Sequence, residues 1–436
     1  MKSTLFTLFL VLTLVQSKPL FSTETSSAGK ITAATIEQKI QKFQETHLMN
    51  GAVAVAIGDE AIYAAGFGVA DNSTTPIQLC TPDTQFFIGS VTKQFTAAAI
   101  LHVLYARLGT IDALREALHK PLSKYLTEAD PIWAGDMPAW ANHVTLHHLL
   151  THTSGIFSYT SVESFKRNLG NPISAAELAS TFKNEPVRFE PGLKFECCNS
   201  GYFLLGEVVA RLSGVPFSHY LAEHFFKPLG MTHTFLPDDG TGKTMKDSGD
   251  YPNLALGYAW NIDNSLTEIS PYWHNNYAGG AGGIVSTVND LVVWNKNLHN
   301  DRVLPAEVTA LMLTGFVRPN EKDPYCFYCY GIERSIQDEK LIFAHNGGLD
   351  GFQTTLFYRP SDQLSFVSFQ NIGLEPKDKQ KLYAAEDEAR EQFKELRAND
   401  RKKYEEAFLN VLETRVPAEL ETRRRTLPIR LGDILK

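Results

Sequence analysis

The chain has 436 residues, of which 43% are hydrophobic and 21% charged, and these proportions are typical of a folded protein with a sizeable core. The formal net charge at pH 7 is −8. Because a surface of that sign would not attract phosphate backbones, we expect no nucleic-acid partner.

The first residues are typical of an export signal. Lys2 supplies a positive charge, an apolar run covers residues 5–15, and Ser17 ends a stretch of small residues spaced like a cleavage site. We therefore predict a signal peptide over residues 1–17, a polar linker over residues 18–30, and an exported protein that is periplasmic or secreted. The apolar run is short for an anchor, so we expect no integral membrane span in the mature protein.

The next predicted elements are a helix and a hairpin. Ile36, Ile40 and Phe43 lie at positions i, i+4 and i+7, a spacing that puts them on one face of a helix. Two strand-like runs follow at residues 52–57 and 61–67, with a short turn between them. This arrangement predicts a β hairpin.

A strand-like run over residues 84–89 leads into a long predicted helix, which begins at Ser90 and ends near Gly109. Residues 95–104 are apolar on nearly every face, so this helix is expected to be buried. Residues 112–263 alternate helical patterns with loops rich in proline, glycine and histidine. The middle of the chain is therefore predicted to be mostly helical.

Strand patterns return later in the chain. Thr287, with Asp290 three residues on, is typical of a helix N-cap, and strands are predicted at residues 341–345, 353–358 and 364–370. Strands thus lie at both ends of a helical middle. We expect the terminal segments to share one antiparallel sheet, which makes the fold class α+β.

A Ser-x-x-Lys pattern occurs at residues 27–30, 90–93 and 180–183. The second occurrence differs from the others because it follows a strand-like run and a glycine and begins a buried helix. Free N–H groups at a helix start favour negative charge on an alkoxide or oxyanion. An apolar setting disfavours the ammonium of Lys93, so the amine can act as a neutral base. The competing interpretation is that Ser90 is only a helix cap.

The sequence Phe-Ile-Gly-Ser-Val-Thr-Lys-Gln-Phe-Thr at residues 87–96 closely resembles the active-site segment of the class C β-lactamase-related serine hydrolases. That superfamily contains penicillin-binding D,D-peptidases, class C β-lactamases and esterases. Further stretches resemble other segments of the family in the same order, at residues 145–155, 228–231, 281–287 and 345–352. The resemblance covers about residues 31–375.

The resemblance implies a β-lactamase/transpeptidase-like fold, in which an antiparallel sheet flanked by helices meets an all-helical region at the active site. The sheet part would comprise about residues 31–95 and 275–375, and the helical part about residues 96–274. Residues 376–436 carry interspersed charges of both signs with apolar positions at helical spacing. We predict that they form a charged helical extension.

The resemblance also implies a role for each matched residue. Ser90 would be the nucleophile and Lys93 its partner, with the backbone N–H groups of Ser90 and Gly348 forming an oxyanion hole. His345, Gly347 and Gly348 would lie on the strand that binds substrate at the edge of the site. Because only protonated His345 is cationic, its help in binding a substrate carboxylate is expected to depend on pH.

One position departs from the family pattern. The second motif of the family is usually Tyr-x-Asn, whereas this chain has Cys197-Cys198-Asn199. Asn199 is therefore expected to hold Lys93 and the substrate amide. The tyrosine is generally considered the acid/base group of class C relatives, and Cys197 replaces it.

Three interpretations of Cys197 remain open. In the first, the thiol passes a proton between Lys93 and the leaving group, because an unperturbed thiol has a pKa of about 8.5, closer to neutrality than a phenol at about 10. In the second, loss of the phenol leaves a protein that binds or is acylated with little turnover. In the third, Cys197 is itself the nucleophile. We favour the first because the other motif residues all remain.

We therefore expect an exported serine hydrolase that acts through an acyl-enzyme on a small-molecule or peptide substrate. The candidates are a β-lactam, a D-amino-acid peptide and a small ester; the alternative is a non-catalytic or single-turnover binder of β-lactams or cell-wall peptides. We expect no cofactor and no metal. The pairs His148 and His152, and Cys326 and Cys329, have spacings that a metal could use, but the first belongs to a family segment and the second lacks a matching pair of ligands.

Overall fold

A computed structural model of the chain describes residues 31–44, 49–161, 173–237, 251–260, 266–268, 275–321, 323–337 and 339–374. The predicted signal peptide, the polar linker and the charged helical extension lie outside these ranges, as does the Ser-x-x-Lys pattern that begins at residue 27. Within the described ranges, no helix combines the length and the apolar character needed to cross a membrane.

The longest strands appear where apolar runs were expected near both ends of the chain, and several shorter strands, among them those at residues 258–260 and 266–268, were not predicted. In chain order they are β1 (Gly51–Ile57), β2 (Glu60–Phe67), β3 (Val69–Asp71), β4 (Gln78–Leu79), β5 (Phe86–Phe87), β6 (Tyr258–Trp260), β7 (Leu266–Glu268), β8 (Val285–Ser286), β9 (Phe327–Tyr328), β10 (Glu333–Gln337), β11 (Lys340–Leu349), β12 (Phe352–Arg359), β13 (Leu364–Gln370) and β14 (Ile372–Leu374). The predicted hairpin and the three predicted late strands are therefore confirmed.

The main sheet has seven antiparallel strands in the order β2-β1-β13-β12-β11-β10-β9. Strand β1, near the start of the chain, pairs with β13, near the end of the described residues. The prediction that the terminal segments share one sheet is thus confirmed. Strand β10 pairs with residues 340–344 of β11, and none of the described strands continues this pairing along residues 345–349.

The helices lie mostly between the two groups of strands. In chain order they are α1 (Ala33–Gln44), α2 (Thr92–Leu108), α3 (Ile111–Leu118), α4 (Leu146–Leu150), α5 (Ala175–Ser180), α6 (Asn199–Ser213), α7 (Phe217–Leu221), α8 (Lys227–Leu229), α9 (Asn275–Gly282), α10 (Val288–His299) and α11 (Ala306–Met312). Helix α10 begins as predicted, because the Thr287 side chain accepts a hydrogen bond from the N–H of Asp290 at 3.2 Å.

Apolar layers cover both faces of the sheet, because successive side chains of a strand point to opposite sides. On one face, Val53 and Val55 of β1 share a core with Ile36 and Ile40 of α1. On the other face, Ala54 belongs to a larger core that contains α2, α10 and the helical region. The sheet is therefore the middle layer of the α+β fold predicted from the sequence.

Helix α2 lies at the centre of the larger core. Its first ten residues are all buried, and Phe95 stacks on Trp294 of α10 with ring centroids 3.8 Å apart. Gly109 ends the helix in a left-handed conformation with φ = 74°, as the sequence indicated. The α-helix begins at Thr92, two residues later than predicted, because Ser90 belongs to a preceding 3-10 turn.

Candidate active site

Ser90 lies in a 3-10 turn, Gly89–Val91, that leads directly into α2. Gly89 starts the turn with φ = 51°, a left-handed conformation that favours glycine. The N-cap position of α2 is Val91, so Ser90 does not cap this helix. Its hydroxyl is instead available to the side chain of Lys93, one turn further on.

Lys93 is completely buried, and its Nζ has three oxygen partners. These are Ser90 Oγ at 2.8 Å, Asn199 Oδ1 at 2.9 Å and the carbonyl oxygen of Ala281 at 2.7 Å. The ring of Tyr202 lies below the amine, with its centroid 5.6 Å from Nζ. The structure therefore brings Ser90, Lys93 and Asn199 together as the resemblance implied.

These three contacts suit both protonation states of Lys93. The oxygens of Asn199 and Ala281 can only accept hydrogen bonds, so they take two N–H groups in either state. In the charged state the third N–H points to Ser90, and in the neutral state the lone pair of the amine faces the Ser90 hydroxyl. A proton can therefore pass between the two side chains without a change in heavy-atom positions.

Burial also lowers the pKa of Lys93 and so changes the balance between its charged and neutral forms. Because a low-dielectric interior disfavours the ammonium, burial lowers the pKa of Lys93 from 10.5 to about 8, while the neighbouring Cys197 and Cys198 thiols act in the opposite direction. The neutral amine is thus accessible near neutral pH. This supports the sequence-based interpretation of Lys93 as a base for Ser90.

The Ser-x-x-Lys pattern at residues 180–183 has a different environment. The Nζ of Lys183 donates to the carbonyl oxygens of Trp133 at 2.7 Å and Asp136 at 3.0 Å. The hydroxyl of Ser180 donates to the carbonyl oxygen of Glu177 at 2.6 Å. Lys183 therefore holds a loop in place, and its amine is directed away from Ser180.

The backbone of β11 touches the turn that carries Ser90. A Cβ at Gly347 would lie 1.9 Å from the carbonyl oxygen of Ile88 and 3.2 Å from the backbone nitrogen of Ser90. A Cβ at Gly89 would lie 2.5 Å from the backbone nitrogen of Gly348. The two glycines permit this approach, which brings the N–H groups of Ser90 and Gly348 to the same junction.

His345 is half-buried on β11 and has a partner for each ring nitrogen. Its Nδ1 lies 2.7 Å from the carbonyl oxygen of Asn346, and its Nε2 lies 3.2 Å from the hydroxyl of Tyr328. A carbonyl oxygen only accepts, so Nδ1 carries the proton and Tyr328 donates to Nε2. Burial, together with Lys93, lowers the pKa of His345 to about 4. The ring is therefore neutral at pH 7, and its expected cationic role is confined to acid.

Cys197 is exposed and precedes α6, the helix that begins with Asn199. The Asn199 amide, whose oxygen accepts from Lys93, donates from Nδ2 to Thr160 Oγ1 at 3.3 Å. All five cysteines lie in the described ranges and are free. Cys197 is thus a thiol at the site of the motif tyrosine, close enough to Lys93 to influence its charge.

Two partners of the site were missed by sequence reasoning. The carbonyl oxygen of Ala281 holds Lys93, but a backbone oxygen leaves no signal in a sequence. His152 contacts Cys197, with its Nε2 4.0 Å from the sulfur, whereas the sequence indicated only its place in a family segment and a possible metal spacing with His148. His152 lies beyond the end of α4 with φ = 59°, so the two histidines do not share one helix face.

The nitrogens of these two histidines are used within the protein. Nδ1 of His148 accepts the N–H of Thr145 at 3.3 Å, and Nδ1 of His152 accepts the N–H of Cys198 at 3.1 Å. Over the part of the chain that is described, no three His, Cys, Asp or Glu side chains are placed to hold a metal ion.

Sequence comparisons relate the chain to known proteins. A family model described as Beta-lactamase matches residues 36–391. The putative penicillin-binding protein PbpX of Bacillus subtilis is 27% identical over 354 residues, which cover 80% of this chain and 78% of that protein. An unguisins hydrolase of Aspergillus campestris is 24% identical over 349 residues, 78% of this chain but only 61% of that protein. The chain thus spans less than two thirds of that relative.

Solved structures show the same fold. The penicillin-binding protein of Bacillus halodurans has a TM-score of 0.63 and 25% identity, and the match covers 78% of this chain and 95% of that one. The D-amino acid amidase of Ochrobactrum anthropi has a TM-score of 0.63 and 24% identity, covering 78% and 91%. The β-lactamase/transpeptidase-like fold implied by the resemblance is confirmed.

We expect the rate of acylation at Ser90 to rise with pH through a midpoint near 8, because the neutral amine of Lys93, whose pKa is about 8, accepts the serine proton. Mass spectrometry can follow adduct formation with an activated ester across this range. The Lys93→Arg variant, which stays charged, should abolish the reaction. A rate that is unchanged from about pH 6 to about pH 10 would contradict the assignment of Lys93 as the base.

The junction of β11 with the Ser90 turn leaves no room for a side chain at residue 347. Gly347→Ala should destabilise the fold by about 1–3 kcal/mol through overpacking and slow acylation, because its Cβ would meet the Ile88 carbonyl oxygen. Gly348→Ala is the matched control for stability, since a Cβ there has no neighbour within 4 Å. Thermal unfolding measures both variants, and equal midpoints would refute the close approach.

Proposed function

The chain belongs to the beta-lactamase family, and from this premise we propose that it is a serine hydrolase that forms an acyl-enzyme on Ser90. The observation that carries the proposal is the 2.8 Å contact between Nζ of buried Lys93 and Oγ of Ser90. A nucleophile within hydrogen-bond reach of a base, which is in turn oriented by a third group, is the arrangement that nucleophilic catalysis requires. Asn199 is that third group.

In the acylation step, Ser90 Oγ forms a bond to the substrate carbonyl carbon while its proton moves to the lone pair of Lys93. The carbonyl oxygen becomes an oxyanion. The backbone N–H groups of Ser90 and Gly348 supply the stabilising dipoles, which are set before the reaction begins. Asn199 and Ala281 keep their hydrogen bonds to the amine as it becomes an ammonium.

The oxyanion then expels the leaving group. In the route that we favour, the Cys197 thiol gives its proton to the departing nitrogen or oxygen and regains one from the Lys93 ammonium. Lys93 is then neutral again and can deprotonate the water that attacks the acyl-enzyme. When the ester to Ser90 breaks, the acid is released and the Ser90 oxygen takes the proton from the Lys93 ammonium, which restores the starting protonation states. Proton transfer of this kind contributes about 10²–10⁴-fold to a rate.

The substrates we propose are a β-lactam, a D-amino-acid peptide or a small ester. The names of relatives and structural neighbours, which include penicillin-binding proteins and a D-amino acid amidase, support this range. The edge of β11 along residues 345–349, which none of the described strands pairs on the side of β10, supports binding of an extended peptide backbone, because such an edge can add a strand. Since His345 is neutral at pH 7, it would add no positive charge for a substrate carboxylate.

A second candidate function is a non-catalytic or single-turnover binder of β-lactams or cell-wall peptides. The replacement of the motif tyrosine by Cys197 favours it, because an acyl-enzyme persists as a stable adduct when the acid/base group that helps to activate the attacking water is lost. For either function we propose export to the periplasm or the outside of the cell, on the strength of the apolar N-terminal pattern at residues 1–17.

We expect benzylpenicillin and p-nitrophenyl acetate each to give an adduct on Ser90, detected by intact-protein mass spectrometry and peptide mapping. Ser90→Ala should give none, because the hydroxyl is the nucleophile. Release of the adduct with multiple turnovers supports the hydrolase. A folded native protein that forms no adduct and turns over neither probe excludes it, and a persistent adduct on Ser90 with negligible release indicates the single-turnover binder.

Cys197→Ala should slow acylation by benzylpenicillin about 100-fold, because the amine leaving group needs a proton. Acylation by p-nitrophenyl acetate should change little, since nitrophenolate leaves as an anion. Cys197→Ser, which keeps an O–H, and Cys197→Tyr, which restores the family residue, test whether another proton carrier rescues the rate. If the alanine variant matches the native protein with benzylpenicillin, Cys197 has no role in proton transfer.

A further inference from the structure

His152 is bonded to the backbone on both sides of Cys197. Its carbonyl oxygen accepts the N–H of Glu196 at 2.9 Å, and its Nδ1 accepts the N–H of Cys198 at 3.1 Å. His152 itself is 1% exposed and has φ = 59°. The residue therefore fixes the backbone that presents the Cys197 thiol to the site.

Aromatic rings fix the orientation of the imidazole. The ring centroids of Tyr328, Tyr202 and Phe195 lie 4.9, 5.0 and 5.7 Å from that of His152. Tyr202 and Tyr328 are themselves buried. The ring of His152 therefore has little freedom to turn, and Nε2 stays directed at the Cys197 sulfur at 4.0 Å.

The hydrogen bonds define which nitrogen carries the proton. Nδ1 accepts a backbone N–H, so its lone pair is used and it carries no hydrogen. Burial, with Lys93 and His345 nearby, holds the pKa of His152 well below its usual value. The ring is therefore neutral, and its one N–H is on Nε2, the nitrogen that faces Cys197.

We propose that His152 is a positioning residue for Cys197, whose sulfur accepts a long hydrogen bond from the His152 Nε2–H and is held on the side of Lys93. Without that donor, the exposed thiol is free to occupy other staggered rotamers. The inference rests on the proposed function, because the place of the sulfur matters to the rate only if the thiol carries a proton in the acyl-enzyme route.

This geometry differs from that of a cysteine nucleophile with a histidine base. Such a pair needs a ring lone pair directed at the thiol so that the histidine can take its proton. In this protein the lone pair of His152 is on Nδ1 and accepts the N–H of Cys198. His152 therefore donates to Cys197 and cannot deprotonate it without losing that bond, so His152 does not act as the base of a Cys197 nucleophile.

The variant His152→Asn separates the two functions of the side chain. The Oδ1 atom of asparagine occupies the same position in the side chain as Nδ1 of histidine and can accept the N–H of Cys198. Asparagine also tolerates a left-handed backbone conformation. It has no counterpart of the Nε2–H. His148→Asn is the matched control, because Nδ1 of His148 also accepts a backbone N–H and its ring does not contact Cys197.

We expect His152→Asn to slow acylation by benzylpenicillin about tenfold and acylation by p-nitrophenyl acetate less than twofold, because only the amine leaving group needs the proton. His148→Asn should change neither rate. Equal slowing with both probes would mean that His152 only maintains the structure, and would overturn the proposal. Thermal midpoints of both variants show whether each remains folded.

A double-mutant cycle tests whether His152 acts through Cys197. In the Cys197→Ala background, His152→Asn should cause no further loss of acylation by benzylpenicillin. A further tenfold loss there would overturn the proposal. Failure of the proposed hydrolase function gives a different result, because the native protein itself would then form no adduct on Ser90.

The tautomer can be tested even if His152→Asn does not fold. Nitrogen-15 NMR of the histidine rings in the native protein should show His152 with the proton on Nε2, and Cys197→Ala should shift that Nε2–H resonance. A proton on Nδ1, or a resonance that does not respond to removal of the thiol, would overturn the proposal.

Discussion

The geometry of the site depends on the buried amine of Lys93 and its three hydrogen-bond partners. An amine placed in a dry interior is costly unless each of its hydrogens has an acceptor, and here two carbonyl oxygens and one hydroxyl surround it. These oxygens come from three separate segments: the Ser90 turn, helix α6 through Asn199, and helix α9 through Ala281. The Lys93 amine therefore holds together three parts of the fold and defines the position of Ser90, the proposed nucleophile.

A second constraint is the close approach of two backbones. Strand β11 can reach the Ser90 turn because Gly347 and Gly89 have no Cβ at the point of contact. The contact joins the sheet to the start of α2, and α2 in turn packs against the helical region. Residues 345–349 of β11 and Ser90 on the turn thus belong to different layers, and their relative position depends on glycine at two places far apart in the sequence.

The exchange of the motif tyrosine for Cys197 leaves the rest of this framework in place. A thiol is shorter than a phenol and is anchored by fewer atoms, so its position depends on neighbours. The ring of His152 accepts the backbone N–H of Cys198 at Nδ1 and faces the sulfur of Cys197 with Nε2. In the proposed route, the position of the thiol therefore depends on His152, a residue to which the family motifs assigned no role.

The sequence by itself determined the hairpin, the three late strands and the shared terminal sheet, because hydrophobic periodicity is a local property of the chain. The order of the motifs likewise indicated that Ser90, Lys93 and Asn199 lie together, and their catalytic roles stay predictions. Tertiary structure alone decided that the α-helix starts after Ser90, that Ala281 holds the amine, that His345 is neutral and that His152 faces Cys197. Each of these depends on burial or on contacts between segments far apart in the sequence, and a local pattern contains neither.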